Sequence, residues 1–163
     1  MRWRSAAAAL MWVSGAALAL GTGELPPDLV AQDHNGTTQR PQDYRGRVLY
    51  IDFWASWCAP CLQELPALQR LYAERAPRGF AVLAINVDTR RSDAQRLLDR
   101  LQLSFPIVFD PDGVWPERFA LPGMPTGYLI GRNGRVRHVQ VGFREGDLAT
   151  LELAIDQALE ESP

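Results

Sequence analysis

The sequence predicts an α/β protein in which parallel strand pairs are joined by helices and a late hairpin closes the sheet. Three observations predict it. The run Val48-Leu49-Tyr50-Ile51-Asp52-Phe53-Trp54 is almost continuously apolar and β-prone, the pattern of an interior strand covered on both faces. Directly after it, Leu62, Leu65, Leu68, Leu71 and Tyr72 recur at helical spacing. The same strand-then-helix order follows again, and Asn133-Gly134 then marks a hairpin turn.

In chain order, Leu29 to Gln32 followed by the turn Asp33-His34-Asn35-Gly36 predicts a small leading hairpin that would cover a sheet edge. Strand 48–54 comes next. A helix is expected from Ala59 to about Arg75, because Pro60 suits a first turn where its missing N–H would be unpaired anyway. Pro66 cannot donate to the carbonyl of Leu62 and should kink that helix. Phe80 to Val87 reads as a second apolar strand. Ser92-Asp93-Ala94-Gln95 reads as the capping box of a short helix that turns Leu97, Leu98 and Leu101 inward. Phe105 to Phe109 reads as a further strand, and Asp110-Pro111-Asp112-Gly113 as a turn into a brief helical piece near Phe119. Gly127 to Ile130 and Val136 to Val141 flank the Asn133-Gly134 turn, and an amphipathic helix starts near Asp147.

The bulk numbers exclude several functions. The chain has 163 residues, 47% of them hydrophobic and 22% charged, which fits one ordinary globular domain. A net charge of -2 and scattered Lys and Arg argue against nucleic acid as a partner, because phosphate binding needs a concentrated basic surface. The N-terminus reads separately. Arg2 and Arg4 precede an uncharged run from Ser5 to Leu20, and Ala17-Leu18-Ala19 offers a small-x-small cleavage site. The 16-residue run would cover roughly 24 Å as a helix, short of a bilayer core of about 30 Å. Residues 1–22 are therefore expected to be an export signal or an N-terminal membrane anchor, with cleavage favoured, ahead of a domain over 25–163. Export points to an oxidising place such as a bacterial periplasm.

Only two cysteines occur, Cys58 and Cys61, so no framework of several disulfides holds the fold. A bridge between them closes so short a loop that it would add only about 2 kcal/mol, which makes chemistry the better reason for the pair. Cys58 falls at the expected helix N-terminus, where unpaired N–H groups and the helix dipole favour a thiolate nucleophile. Cys61, one turn later on the same side, is placed to attack a mixed disulfide on Cys58. That attack requires Cys61 to lose a proton in a buried place. Asp52, an acid inside an apolar strand, is the leading proton acceptor, because burying it costs several kcal/mol unless it is paired or protonated. Glu64 is a second candidate, with a solvated helix face as its plain alternative. Trp57 is assigned to the active-site surface and Trp54 to packing.

Asp52-Phe53-Trp54-Ala55-Ser56-Trp57-Cys58-Ala59-Pro60-Cys61 resembles the thioredoxin superfamily, and specifically its exported TlpA/ResA-like branch. The likeness continues through Glu64 and Pro66 to Met124-Pro125-Thr126, which looks like the family's cis-proline loop. It covers residues from about 25 to 160. The resemblance implies a thioredoxin fold: a central mixed sheet flanked by helices, with an N-terminal β-hairpin and a strand-helix insertion over Phe80 to Phe109. It implies a redox-active Cys58–Cys61 disulfide with no other cofactor and no metal, and substrate contacts from Trp57, Ala59, Pro60, Met124, Pro125 and Thr126. Partners would be protein disulfides or dithiols and, for a reductase, a membrane electron donor; a monomer is expected because the active-site surface must stay accessible. Departures bear on the role. Many chains of this branch carry Asn where Asp52 stands, Gly127 replaces a commoner Thr, and Thr126 stands where dedicated cytochrome-c-maturation relatives often carry an acid. No His lies between the cysteines, so a reducing or intermediate potential is expected.

Rival readings are a thiol oxidase or isomerase of the same fold, a thiol peroxidase, a metal-binding module and a non-catalytic scaffold. Peroxidatic cysteines are preceded three positions earlier by Thr or Ser, where this chain has Ala55. A metal site would have to combine the cysteines with His34 and His138, lone residues far apart in the sequence. The intact Cys pair argues against the scaffold.

Overall fold

Strand β3 (Val48–Trp54) is buried at every position, as its uninterrupted apolar run requires, and it forms the middle of the molecule. The computed structural model describes residues 19–162, so the expected export segment lies, up to residue 18, outside the described residues. Around β3 are β4 (Phe80–Asn86), β5 (Ile107–Phe109), β6 (Thr126–Ile130) and β7 (Val136–Val141), in the order β5-β4-β3-β6-β7. Strands β3, β4 and β5 run parallel, whereas β6 is antiparallel to both β3 and β7, giving one mixed sheet. Helices α1 (Ala59–Arg75), α2 (Arg91–Leu101), α3 (Val114–Arg118) and α4 (Asp147–Glu160) complete the α/β architecture.

Alternation along β3 divides the interior in two. Val48, Tyr50 and Trp54 join Leu65, Leu68 and Leu71 of α1 and Leu151 and Ile155 of α4 in one core. Leu49, Ile51 and Phe53 join Trp115, Phe119 and Tyr128 in the other, where Phe53 meets Phe119 edge-on at 5.1 Å. Asp52 shares the parity of Tyr50 and Trp54 and so faces the first core.

The leading hairpin consists of β1 (Ala31–Gln32) and β2 (Thr38–Gln39). It covers the edge strand β5: the His34 N–H donates to the Ile107 carbonyl at 2.8 Å, and the Ile107 N–H donates to His34 Nδ1 at 3.2 Å. Within the Phe80–Phe109 segment, β4 is an interior strand paired with β3 along its whole length, while α2 and β5 form the outer part. Helix α1 runs unbroken through Pro66.

Two local expectations are corrected. Helix α2 does not open on a Ser92 capping box, because its N-cap is Arg90, in extended backbone and without a side-chain cap. Asp93 in the first turn instead pairs with Arg90 and Arg96, and Gln95 bonds Asp99. The strand expected from Phe105 begins at Ile107, because Pro106 has no N–H to give; its carbonyl still accepts from Ala84 at 3.0 Å.

Candidate active site

The site lies where β3 ends and α1 begins. The Cys58 N–H closes a turn onto the Ala55 carbonyl at 3.1 Å, and Cys58 becomes the N-cap of α1, its Sγ accepting from the Cys61 N–H at 3.4 Å. Cys58 and Cys61 are joined by a disulfide, with Cα atoms 5.3 Å apart. Cys58 retains 5% exposure against 1% for Cys61, so Cys58 is the sulfur a partner meets first. Beside it Trp57 is 67% exposed and Ala59 and Pro60 are exposed as well, whereas Trp54 is fully buried.

The loop that presents Cys58 is held by a buried network. The Asp88 carboxylate accepts from the Ser56 N–H and hydroxyl, both at 2.9 Å, and from the Asn86 amide at 2.8 Å. A carboxylate that accepts three hydrogen bonds is a rigid anchor, and it ties Ser56-Trp57 to the end of β4. Sequence reasoning missed Asp88 and Asn86, since nothing local marks them as neighbours of Ser56.

Met124-Pro125 is a cis peptide at the start of β6. Pro125 and Thr126 are buried and Met124 is half-buried against both cores. The Thr126 hydroxyl donates to the Gly123 carbonyl at 2.8 Å and the Pro125 carbonyl accepts from the Gly142 N–H at 2.8 Å, which bolts the loop onto the sheet.

Behind the cysteines two acids are buried together. Asp52 and Glu64 are each 1% exposed, which removes the solvated-face alternative for Glu64. Both Asp52 oxygens and Glu64 Oε2 have no hydrogen-bond partner, an expensive arrangement for charged groups. Desolvation, and after it the neighbouring Glu64, pushes the Asp52 carboxyl well above the usual carboxylate range. Desolvation also lifts Glu64, offset in part by the Tyr50 hydroxyl, which donates to Glu64 Oε1 at 3.0 Å, and it brings the group to about 7. Near neutral pH Glu64 therefore exchanges a proton, beside an Asp52 carboxyl that burial pushes in the same direction. Tyr50 had escaped notice as anything but core, although it lies two residues before Asp52 on the same face.

The histidines lie elsewhere. His34 serves the hairpin edge and His138 sits on β7 beside Gln140. Among the described residues no group of three His, Cys, Asp or Glu side chains could hold a metal ion.

Comparison with known proteins agrees with this geometry. Residues 22–139 match the AhpC/TSA family. Thiol-disulfide oxidoreductase ResA of Geobacillus thermodenitrificans is 34% identical over 124 residues, covering 76% of this chain and 71% of that protein. Thioredoxin-like protein YneN of Bacillus subtilis is 31% identical, covering 74% and 71% respectively. A crystal structure from Chlorobium tepidum, described as thiol:disulfide interchange protein DsbE, superposes with a TM-score of 0.83 at 40% identity, covering 86% of this chain and 99% of that one. With a Cys58–Cys61 pair at the head of α1 in a five-stranded mixed sheet, the chain belongs to the AhpC/TSA family and is a thiol-disulfide oxidoreductase of thioredoxin fold.

Proposed function

We propose that the protein works in the reducing direction, outside the cytoplasm, on disulfides of other proteins. The observation that carries this is the setting of the pair: two buried acids, Asp52 on β3 and Glu64 three residues past Cys61 on α1, belong to the same stretch, and Ala59-Pro60 places no cation between the sulfurs. Strong oxidants owe their potential to a stabilised reduced form. Negative charge near these cysteines disfavours the thiolate and so works the other way.

In the reaction, the Cys58 thiolate attacks a substrate disulfide, releasing one substrate thiolate and leaving Cys58 joined to the other sulfur. Cys61 then gives its proton to the acid pair through Glu64 or Asp52, and its sulfur attacks Cys58. The Cys58–Cys61 bond forms, and the second substrate sulfur leaves and takes up a proton. Two electrons have passed to the substrate, and a dithiol donor must restore the pair. Trp57, Ala59 and Pro60 would flank the substrate on one side and Met124, Pro125 and Thr126 on the other. Residues 1–22 would deliver the domain across the membrane or anchor it there, within reach of a membrane electron donor; among the described residues no helix is long and apolar enough to cross a membrane. A monomer suits this role, and its targets would be proteins in redox maintenance or cytochrome c maturation.

The test is the reduction potential of the couple, read by tryptophan fluorescence in glutathione or dithiothreitol buffers. A two-electron transition below roughly -220 mV supports the reductase, and one near -120 mV overturns it in favour of an oxidant.

A further inference from the structure

Gly127 is opposite Asp52 in the β3–β6 register and has no side chain on the face where the acids lie. A Cβ there would sit 1.8 Å from Tyr50 Oη, 2.1 Å from Cζ and 2.8 Å from Cε1. The phenol thus occupies the room a side chain at 127 would take. Tyr50 is fully buried, so a side chain at 127 would have to displace its ring. From this slot the hydroxyl reaches Glu64 at 3.0 Å, the bond that gives this carboxyl its one partner, while Asp52 next to it has none.

We propose that Tyr50, admitted by the missing side chain at Gly127, is the positioning residue that makes Glu64 rather than Asp52 the proton acceptor for Cys61. This deepens the resolving role given above to the acid pair and rests on it. A donor aimed at one of two buried acids stabilises the charged form of that one, so the pair's negative charge settles on Glu64 and its proton on Asp52. The other titratable groups on Glu64 do not undo the bias. Asp147 of α4 acts on it by repulsion, which raises both the need for a donor and the effect of losing it. Glu145 lies with Gln63, Ala67, Phe143 and Leu148 around a cleft of about 350 Å³ alongside this stretch of α1, and Glu64 is not among its lining residues. Tyr50 itself stays protonated, because burial and the two acids push its hydroxyl well above its ordinary range.

The test is rapid-mixing measurement of the resolving step, the release of a thiol-labelled peptide from Cys58, between pH 5 and 9 in the full chain and in Tyr50→Phe. Loss of one hydrogen bond to a charged group corresponds to about one pH unit. The acid limb of the Tyr50→Phe profile is expected to move up by about that much, making release at pH 6 roughly tenfold slower, with the attack of Cys58 unchanged. In a Glu64→Gln background the same substitution should have no further effect. Gly127→Ala, which pushes the phenol aside without removing it, should shift the profile in the same direction; Glu64 carboxyl ¹³C titration reads that shift if turnover is lost. An unshifted profile, or an equal shift with and without Glu64, overturns the role of Tyr50. Failure of Cys61→Ser to trap a mixed disulfide on Cys58 would instead overturn the resolving reading beneath it.

Discussion

Helix α1 touches two groups of carboxylates, and they are built in opposite ways. At its C-terminal end Arg75 makes two bonds to Asp156 of α4, at 3.1 and 2.9 Å, and Arg78 adds a third at 2.8 Å. Arg70 also joins Glu74 and Glu152. These acids are paired and partly solvated, and the Arg75 guanidinium holds Asp156 below the usual carboxylate range. At its N-terminal end Asp52 and Glu64 are sealed from water with three of four oxygens unpartnered and are displaced upward. The same residue types thus serve two ends. Where α1 is fastened to α4, charges are matched; at the end that carries the cysteines, the acids are left unpaired in the interior.

The comparison is broken most severely at the sulfur itself. Cys58→Ser should lower disulfide-reductase turnover by roughly 10⁴-fold or more in a dithiothreitol-coupled assay while leaving folding intact, since the short bridge contributes little stability.

Next in size is the pH dependence of stability. Glu64 is raised from 4.5 to about 7 in the fold, so between these values the native state binds more protons than the unfolded chain and stability falls as pH rises. Urea denaturation of the oxidised protein should show a loss on the order of 3 kcal/mol across that window from Glu64, added to a loss of the same sign from Asp52, and Glu64→Gln should make the slope shallower without abolishing it. Stability that climbs over the same range would mean that the acid is not held up by burial.

The smallest effect belongs to the paired end. Arg75→Ala should cost about 1 kcal/mol in thermal or urea unfolding, as partly exposed ion pairs do. Asp156 has the opposite sign from Glu64: its contribution is present above the ordinary carboxylate range and fades as pH falls through its lowered value. The reduction potential of Arg75→Ala should match that of the parent, because the ion pairs lie at the far end of the helix.

Much of this was readable from the sequence because it rests on local pattern. The run 48–54, the period of leucines after Cys61 and the Asn133-Gly134 turn each report a backbone state in a short window, and β3, α1 and the β6–β7 hairpin follow them. Asp52 stood out because an acid in such a run has no cheap explanation. Glu64 did not, since a Glu beside Gln63 on a helix looks the same whether water or another helix covers it; the core shared with α4 decides the matter. Tyr50 was invisible for a related reason. A tyrosine in an apolar strand reads as packing, and what directs its hydroxyl is a missing Cβ at Gly127, on a strand far along the chain. Asp88 likewise meets Ser56 only through the parallel pairing of β3 and β4.

The most direct test of the central claim separates the two chemical steps. With a labelled peptide loaded on Cys58, release by Cys61 is timed at pH 7 in the parent and in Asp52→Asn/Glu64→Gln, beside the rate of the initial attack. The account predicts release slowed by about 10²-fold or more, the usual contribution of a general base, with the attack little changed. Equal release rates in the two proteins would contradict it, and would leave the buried acids as structure alone.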